Sequence, residues 1–376
     1  MERSAMHKIS VFGSSCKKNE KRIPIHPALF EQIPENIRHQ LIFEEGYAAS
    51  LGVKDSYLRE NFGGVVSREE LFSLGDVWLL PKPEKEDFKF FSEGKILWGW
   101  PHCVQGYDIA QAAIDAKMTL VAWEAMYGGS DRTHVFYRNN ELAGYAAVQH
   151  MMMLTGKTGY FGRRLKAAVL GFGATARGAI NCLKSLGIVD VSVYSQRPNH
   201  LLNAPIESIT YKQMLRRDGK TFLEGNQYQD FVTPVDVLCE YDVVVNCILQ
   251  DPVNPIMFIE EQDMACIDKQ MDIIDISCDR GMGFYFAKPT TFDEPSFNVG
   301  AHINYYCVDH TPTLYWDSAS YEITRSIMSY LPEFINGTWK QNPVLTAAVE
   351  IENGLIINNK IIKFQNRNPE YPYIRK

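Results

Sequence analysis

Lys166-Ala167-Ala168-Val169-Leu170-Gly171-Phe172-Gly173-Ala174-Thr175-Ala176-Arg177-Gly178 decides the fold of this chain. Lys166 to Leu170 reads as an apolar strand. Gly171, Gly173 and Ala176 then fit the pattern G-x-G-x-x-A, and Ala176, Ile180 and Leu183 recur at helical spacing. Each small residue has a physical task. Gly171 permits the tight turn from strand to helix, Gly173 lets the backbone approach a pyrophosphate, and Ala176 lets helix and strand pack closely. Ala174, Thr175 and Ala176 open the helix, whose unpaired N–H groups suit phosphate oxygens. The pattern alone is common. Followed by a second strand, Val191 to Tyr194, about 20 residues on, it reads as a dinucleotide site.

The end of that second strand selects the cofactor. An NAD site usually places Asp or Glu there for the ribose 2′-hydroxyl. Here the residues are Ser195-Gln196-Arg197-Pro198. Ser195 can donate a hydrogen bond and Arg197 can pair with a 2′-phosphate through its planar fork. NADP(H) is therefore expected over NAD(H).

Working outward, Leu142 to Thr155 has the apolar spacing of a long connecting helix, and Asp242 to Leu249 and Met271 to Ser277 read as further buried strands. Residues 198 to 236 are polar and poorly patterned, and read as an insertion. Before the nucleotide segment, Lys8 to Gly13, Gln40 to Glu44, Val77 to Leu80, Ile96 to Trp100 and Thr119 to Trp123 read as strands, with Ala110 to Lys117 as a helix. Alternation of this kind predicts an α/β fold with mainly parallel sheets. Near the end, Ser318 to Leu331 reads as a helix. Ala347 to Phe364, with Asn353-Gly354 and Asn358-Asn359, reads as a terminal β-hairpin.

The 376 residues are enough for two domains with large cores. Apolar residues make up 45% and charged residues 22%, and no apolar run reaches membrane-spanning length. The first ten residues lack the apolar core of a secretory signal. A net charge of −7 argues against nucleic acid and against anionic lipid as partners. The eight cysteines form no CxxC pair and are spread through apolar segments, so reduced thiols in a cytoplasmic protein are expected, with no metal site.

Several segments together carry a family resemblance. They are Asn19-Glu20-Lys21-Arg22-Ile23-Pro24-Ile25-His26-Pro27, Gly99-Trp100-Pro101-His102, Ala143-Gly144-Tyr145-Ala146, the nucleotide segment, Ile274-Asp275-Ile276-Ser277-Cys278-Asp279-Arg280-Gly281, Pro289-Thr290-Thr291-Phe292 and Cys307-Val308-Asp309-His310-Thr311-Pro312-Thr313. In order and spacing the chain resembles the superfamily of alanine dehydrogenases, saccharopine dehydrogenases and transhydrogenase domains. It looks most like the N5-(carboxyethyl)ornithine synthases. The resemblance covers nearly the whole chain. It implies two Rossmann-like domains, with a substrate domain split between residues 1–145 and 306–376 around an NADP-binding domain at 146–305.

The resemblance also implies roles. Arg22 matches the arginine that grips a substrate carboxylate, and Lys82, between Pro81 and Pro83, matches the lysine that contacts the oxo acid; Lys85 competes for that role. His102 matches the histidine that serves as acid or base, with Cys103 the weaker neighbour, and imidazole exchanges protons near neutral pH with little tuning. Asp279 matches the aspartate close to the nicotinamide. His310 stands where alanine dehydrogenases tend to have Asn; an Asp309-His310 pair is closer to the saccharopine enzymes and argues against plain ammonia as substrate. Glu124 is expected behind these residues, and Tyr305, Tyr306, Tyr315 and Trp316 in the core.

These readings converge on an NADPH-dependent opine-type dehydrogenase that joins a 2-oxo acid to an amino-acid amine, pyruvate with ornithine or lysine first. A saccharopine-type or alanine-type dehydrogenase is the alternative. A dinucleotide-binding module without turnover is the reading of another class, and the presence of Arg22, Lys82 and His102 favours an enzyme. The expected partners are small molecules, with a homo-oligomer left open.

Overall fold

The computed structural model describes residues 6–128, 133–225, 230–251 and 254–376. The chain forms two compact units, 1–137 with 316–376, and 138–315. The sequence reading cut at 145 and 305. The later cut at 315 reflects strand Ile303–Tyr306, which completes the second unit's sheet, and Thr311, whose Oγ1 donates to Ala143 O at 3.0 Å.

In the first unit, six strands run in chain order Ile9–Val11, Leu41–Glu44, Val65–Val66, Val77–Leu79, Ile96–Gly99 and Thr119–Ala122. They are parallel, and their spatial order is 3-2-1-4-5-6. This is the doubly wound order, whose ligand crevice lies beyond the carboxyl ends of strands 1 and 4. Helices cover both faces, so the strands are buried without an exposed alternate set. Val11, Leu79, Trp98 and Val121 feed one core, and Trp78, Leu80, Leu97 and Leu120 the other. The chain's far end returns to this sheet: Val349–Glu352 pairs antiparallel with strand 6 and turns at Asn353-Gly354 into Leu355–Ile356. The expected hairpin stops there. Asn358 is not a turn residue; its side chain accepts from Lys360 N and caps helix Asn359–Phe364. Asn suits a helix N-cap as well as a turn, and here the cap prevails.

The second unit repeats the order. Lys166–Leu170, Asp190–Ser195, Thr210–Arg217, Val243–Asn246, Met271–Asp275 and Ile303–Tyr306 lie 3-2-1-4-5-6 and parallel. Strand 3 falls inside the supposed insertion, and its residues are mostly half-buried, so it shows no apolar run. Its last four residues leave the parallel ladder and pair antiparallel with Lys220–Leu223. Ser296–Val299 adds an antiparallel edge.

Helix Tyr137–Thr155 crosses helix Ala174–Ser185 at two glycines. A methyl group on Gly144 would overlap Thr175 O, and one on Gly178 would overlap Glu141 O. Backbone approach of this kind is open only to glycine. Among the described residues no helix is long and apolar enough to cross a membrane.

Candidate active site

The first unit places two of the expected residues over one indole and a third against one of them. Lys82 follows strand Val77–Leu79 and Trp100 follows strand Ile96–Gly99, so both stand at the carboxyl edge of the sheet. The Lys82 Nζ lies 5.6 Å and the Arg22 Cζ 5.0 Å from the centre of the Trp100 ring. An indole face attracts cations and lets two of them share an apolar wall. Lys82 Nζ is 2.9 Å from His102 Nε2. The turn after strand 1 fixes the lysine's backbone, because Ser15 Oγ donates to Lys82 O at 2.9 Å. The competitor Lys85 points elsewhere: it is exposed and pairs with Asp108.

Arg22 is buried, and one edge of its guanidinium is taken by its own chain. Nε donates to Glu20 Oε1 at 2.8 Å and Nη2 to Oε2 at 2.5 Å, with both side chains almost fully enclosed. Burial pushes the Glu20 carboxyl up, but the charge and hydrogen bonds of Arg22 outweigh it and bring it down to about 2. Glu20 thereby holds the plane of the guanidinium.

Glu124, expected in the background, touches the histidine directly. It follows strand Thr119–Ala122, and its Oε1 accepts from His102 N at 2.6 Å and lies 3.7 Å from His102 Nδ1. Its Oε2 is shielded from solvent and has no hydrogen-bond partner among the described residues. Burial, with the nearby Glu350 charge adding, raises this carboxyl to about 8. It is therefore mostly neutral at pH 7 and can donate a hydrogen bond. The signal in the sequence was only its place two residues past a buried strand.

The second unit carries the nucleotide residues at the carboxyl ends of strands 1 and 2. Gly171 has φ +95°, open to glycine at little cost. Gly173 faces open space: nothing lies within 4 Å of where a Cβ would stand. Helix Ala174–Ser185 starts with no side-chain cap and no acid in its first turn. Ala176 is fully buried against the sheet. An uncapped helix start behind a turn that leaves room at Gly173 fits a diphosphate. Ser195 closes strand 2, its Oγ accepting from Arg197 N at 3.1 Å, and the Arg197 side chain is exposed.

Asp279 and His310 follow strands 5 and 6, which pair side by side in the sheet. Burial raises Asp279 to about 6. His310 is buried, its Nδ1 2.5 Å from Asp309 Oδ1 and its ring edge-on to Phe292. Asp275, which sequence reasoning assigned no role, is buried at the end of strand 5. Its carboxylate accepts from Asn246 Nδ2 at 3.0 Å and Tyr305 Oη at 2.7 Å, tying strand 5 to strands 4 and 6.

Two doubly wound units, one with a dinucleotide cradle, are the architecture of a nicotinamide-dependent dehydrogenase. Residues 141–359 match the family described as alanine dehydrogenase/PNT, C-terminal domain, and the chain belongs to that family. N(5)-(carboxyethyl)ornithine synthase of Clostridium botulinum is 23% identical over 332 residues, 83% of this chain and 90% of that one. Alanine dehydrogenase of Mycobacterium tuberculosis is 21% identical over 368 residues, 93% of this chain and 94% of that one. Among solved structures, an L-alanine dehydrogenase superposes with a TM-score of 0.72 at 15% identity, covering 95% of this chain and 98% of that one. A transhydrogenase from Sinorhizobium meliloti gives 0.67 at 17% identity, covering 93% and 99%. The fold of two Rossmann-like domains is thereby shared. Membership makes the chain an oxidoreductase of the CH–NH class with a nicotinamide dinucleotide as cofactor.

Proposed function

We propose that this chain is an NADPH-dependent opine-type dehydrogenase, joining a 2-oxo acid, pyruvate first, to the amine of an amino acid such as ornithine or lysine. The 2.9 Å contact between Lys82 Nζ and His102 Nε2, beside Arg22 on the Trp100 face, carries the reading. A relative named N(5)-(carboxyethyl)ornithine synthase supports the substrate pair.

The residues divide the work. Arg22, its plane held by Glu20, binds the oxo acid's carboxylate. Lys82 donates to the oxo oxygen and polarises the carbonyl. His102 takes the proton released as the amine nitrogen bonds to the carbonyl carbon. Lys82 supplies the proton that makes the oxo oxygen a hydroxyl, and His102 returns its own proton to that hydroxyl, which leaves as water and gives the protonated imine. Glu124, neutral and bonded to His102 N, keeps the imidazole in place. Gly171, Gly173, Ala174, Thr175 and Ala176 would hold the dinucleotide's diphosphate, Ser195 and Arg197 its 2′-phosphate, and Asp279 the nicotinamide end. When bound, the cofactor supplies the hydride that reduces the imine. His310, in place of an amide side chain, favours an amino-acid amine over ammonia.

Mass spectrometry of the product from NADPH, pyruvate and a mixture of amino acids tests this. A carboxyethyl adduct of ornithine or lysine is expected. Alanine formed from pyruvate and ammonia, with no adduct, would overturn the proposal in favour of an alanine-type enzyme.

A further inference from the structure

The turn that carries His102 is held from the far end of the chain. His102 has φ +47°, in the left-handed region. A residue with a Cβ stays there only where its surroundings enforce it. Four hydrogen bonds do so. His102 N donates to Glu124 Oε1 at 2.6 Å, and His102 O accepts from Gly106 N at 2.8 Å. The next two carbonyls, of Cys103 and Val104, both accept from Gln365 Nε2, at 2.7 and 3.2 Å.

Gln365 lies 263 residues beyond His102 and follows helix Asn359–Phe364. It is buried, and its amide has one defined direction. Arg367 Nε donates to its Oε1 at 2.6 Å, which turns the amide N–H groups toward the turn. Arg367 is buried as well. Its Nη1 donates to Gln111 Oε1 at 2.7 Å and to Tyr373 O at 3.1 Å, and its Cζ stands 4.4 Å above the Tyr107 ring. Tyr107 and Gln111 belong to helix Tyr107–Asp115, which the His102 turn leads into. Gln365 and Arg367 therefore tie the turn and the helix after it to one another. Both lie beyond residues 141–359, the stretch that matches the family.

We infer that Gln365 is a positioning residue for His102, oriented by Arg367, and that it sets the imidazole's reach to Lys82. Without the amide, the buried Cys103 carbonyl and the half-buried Val104 carbonyl lose their donor, and the backbone after His102 is released to a right-handed or extended conformation. Either one redirects the imidazole away from Lys82 Nζ. The inference rests on the reading of His102 as the proton carrier.

Gln365→Met keeps the length and removes both donors. In the full chain we expect the Gly106 amide to exchange about tenfold faster, as a local opening does. The His102 imidazole resonances should move. With NADPH, pyruvate and the amine, kcat should fall on the order of 10²-fold, the scale of an ångström's misplacement. The dinucleotide KM should hold. Gln365→Glu is the second variant. It keeps an acceptor for Arg367, loses the donor pair, and should loosen the turn in the same way. Unchanged exchange and unchanged imidazole resonances in either folded variant overturn the inference, whatever the activity. A loosened turn with wild-type kcat supports the clamp and overturns His102 as proton carrier.

Discussion

Lys82 Nζ and His102 Nε2 stand 2.9 Å apart, and this distance constrains where the protons are. An ammonium has donors only, so Nε2 must accept. A neutral imidazole then carries its proton on Nδ1, the atom that faces Glu124 Oε1 at 3.7 Å. Protonating the imidazole breaks the contact unless the lysine gives up a proton.

His102→Gln should therefore lower kcat by on the order of 10²–10⁴, the range for a general acid–base group, with NADPH binding unchanged. The acidic limb of the pH–rate profile should flatten. A near-normal kcat with an unchanged profile would move the role to Lys82 or His310.

Glu124 makes stability fall with rising pH. Its folded pKa of about 8 lies above the ordinary 4.5, so between these values the folded state binds the extra proton. Stability is then lost progressively from about pH 4.5 to 8. Asp275, raised to about 7 by burial, and Asp279, raised to about 6, add to the trend. Glu124→Gln removes its share, so the decline in Tm between pH 5 and 8 should be shallower than in wild type. Parallel curves for the two proteins would mean that Glu124 is ionised throughout.

Glu20 acts in the opposite sense. Its carboxyl, at about 2 when folded, contributes stability above pH 4.5 that is lost as pH falls toward 2. Glu20→Gln leaves the Arg22 charge buried without its carboxylate and should cost about 3–5 kcal/mol in chemical denaturation. Arg22→Lys keeps the charge and loses the planar fork, and should raise the oxo-acid KM strongly while sparing NADPH affinity. Unchanged oxo-acid kinetics would remove Arg22 from the substrate.

Two glycines of the nucleotide segment should respond oppositely to alanine. Gly178→Ala drives a methyl into Glu141 O, a backbone atom, and should destabilise by about 1–3 kcal/mol or more, read by thermal unfolding. Gly173→Ala meets nothing in the protein, so Tm should hold while NADPH affinity drops, read by fluorescence titration. Full affinity in Gly173→Ala would argue that no diphosphate lies against this turn.

Arg197→Ala should weaken NADPH binding about tenfold, the scale of a hydrogen bond to a charged group, and leave NADH almost unaffected. Calorimetric titration of both cofactors decides this. Equal losses would separate Arg197 from the 2′-phosphate.

Much of this was open to reading in the sequence because it is local. Strand Lys166–Leu170, the turn at Gly171 and the helix start at Ala174 follow from residues adjacent in the chain, where apolar run, small residue and helical spacing suffice. The fully buried strands Val77–Leu79, Ile96–Gly99 and Thr119–Ala122 announced themselves by composition. Strand Thr210–Arg217 did not, since half-buried residues at the start of an antiparallel extension leave no periodic signal.

What the tertiary structure alone decided are pairings across long separations. No local pattern ties Asn358 to a helix cap rather than a turn, because both use the same side-chain acceptor. Nothing near Arg22 announced that Glu20 would fill one edge of its fork: residues two apart meet only if the backbone curls there. The neutral state of Glu124 is a property of its surroundings, and Gln365 reaches the His102 turn only because Val349–Glu352 pairs with Thr119–Ala122 and brings the chain's far end back to the first sheet. Sequence determines propensity and local chemistry; burial, charge state and the left-handed turn at His102 depend on which distant groups the fold sets beside them.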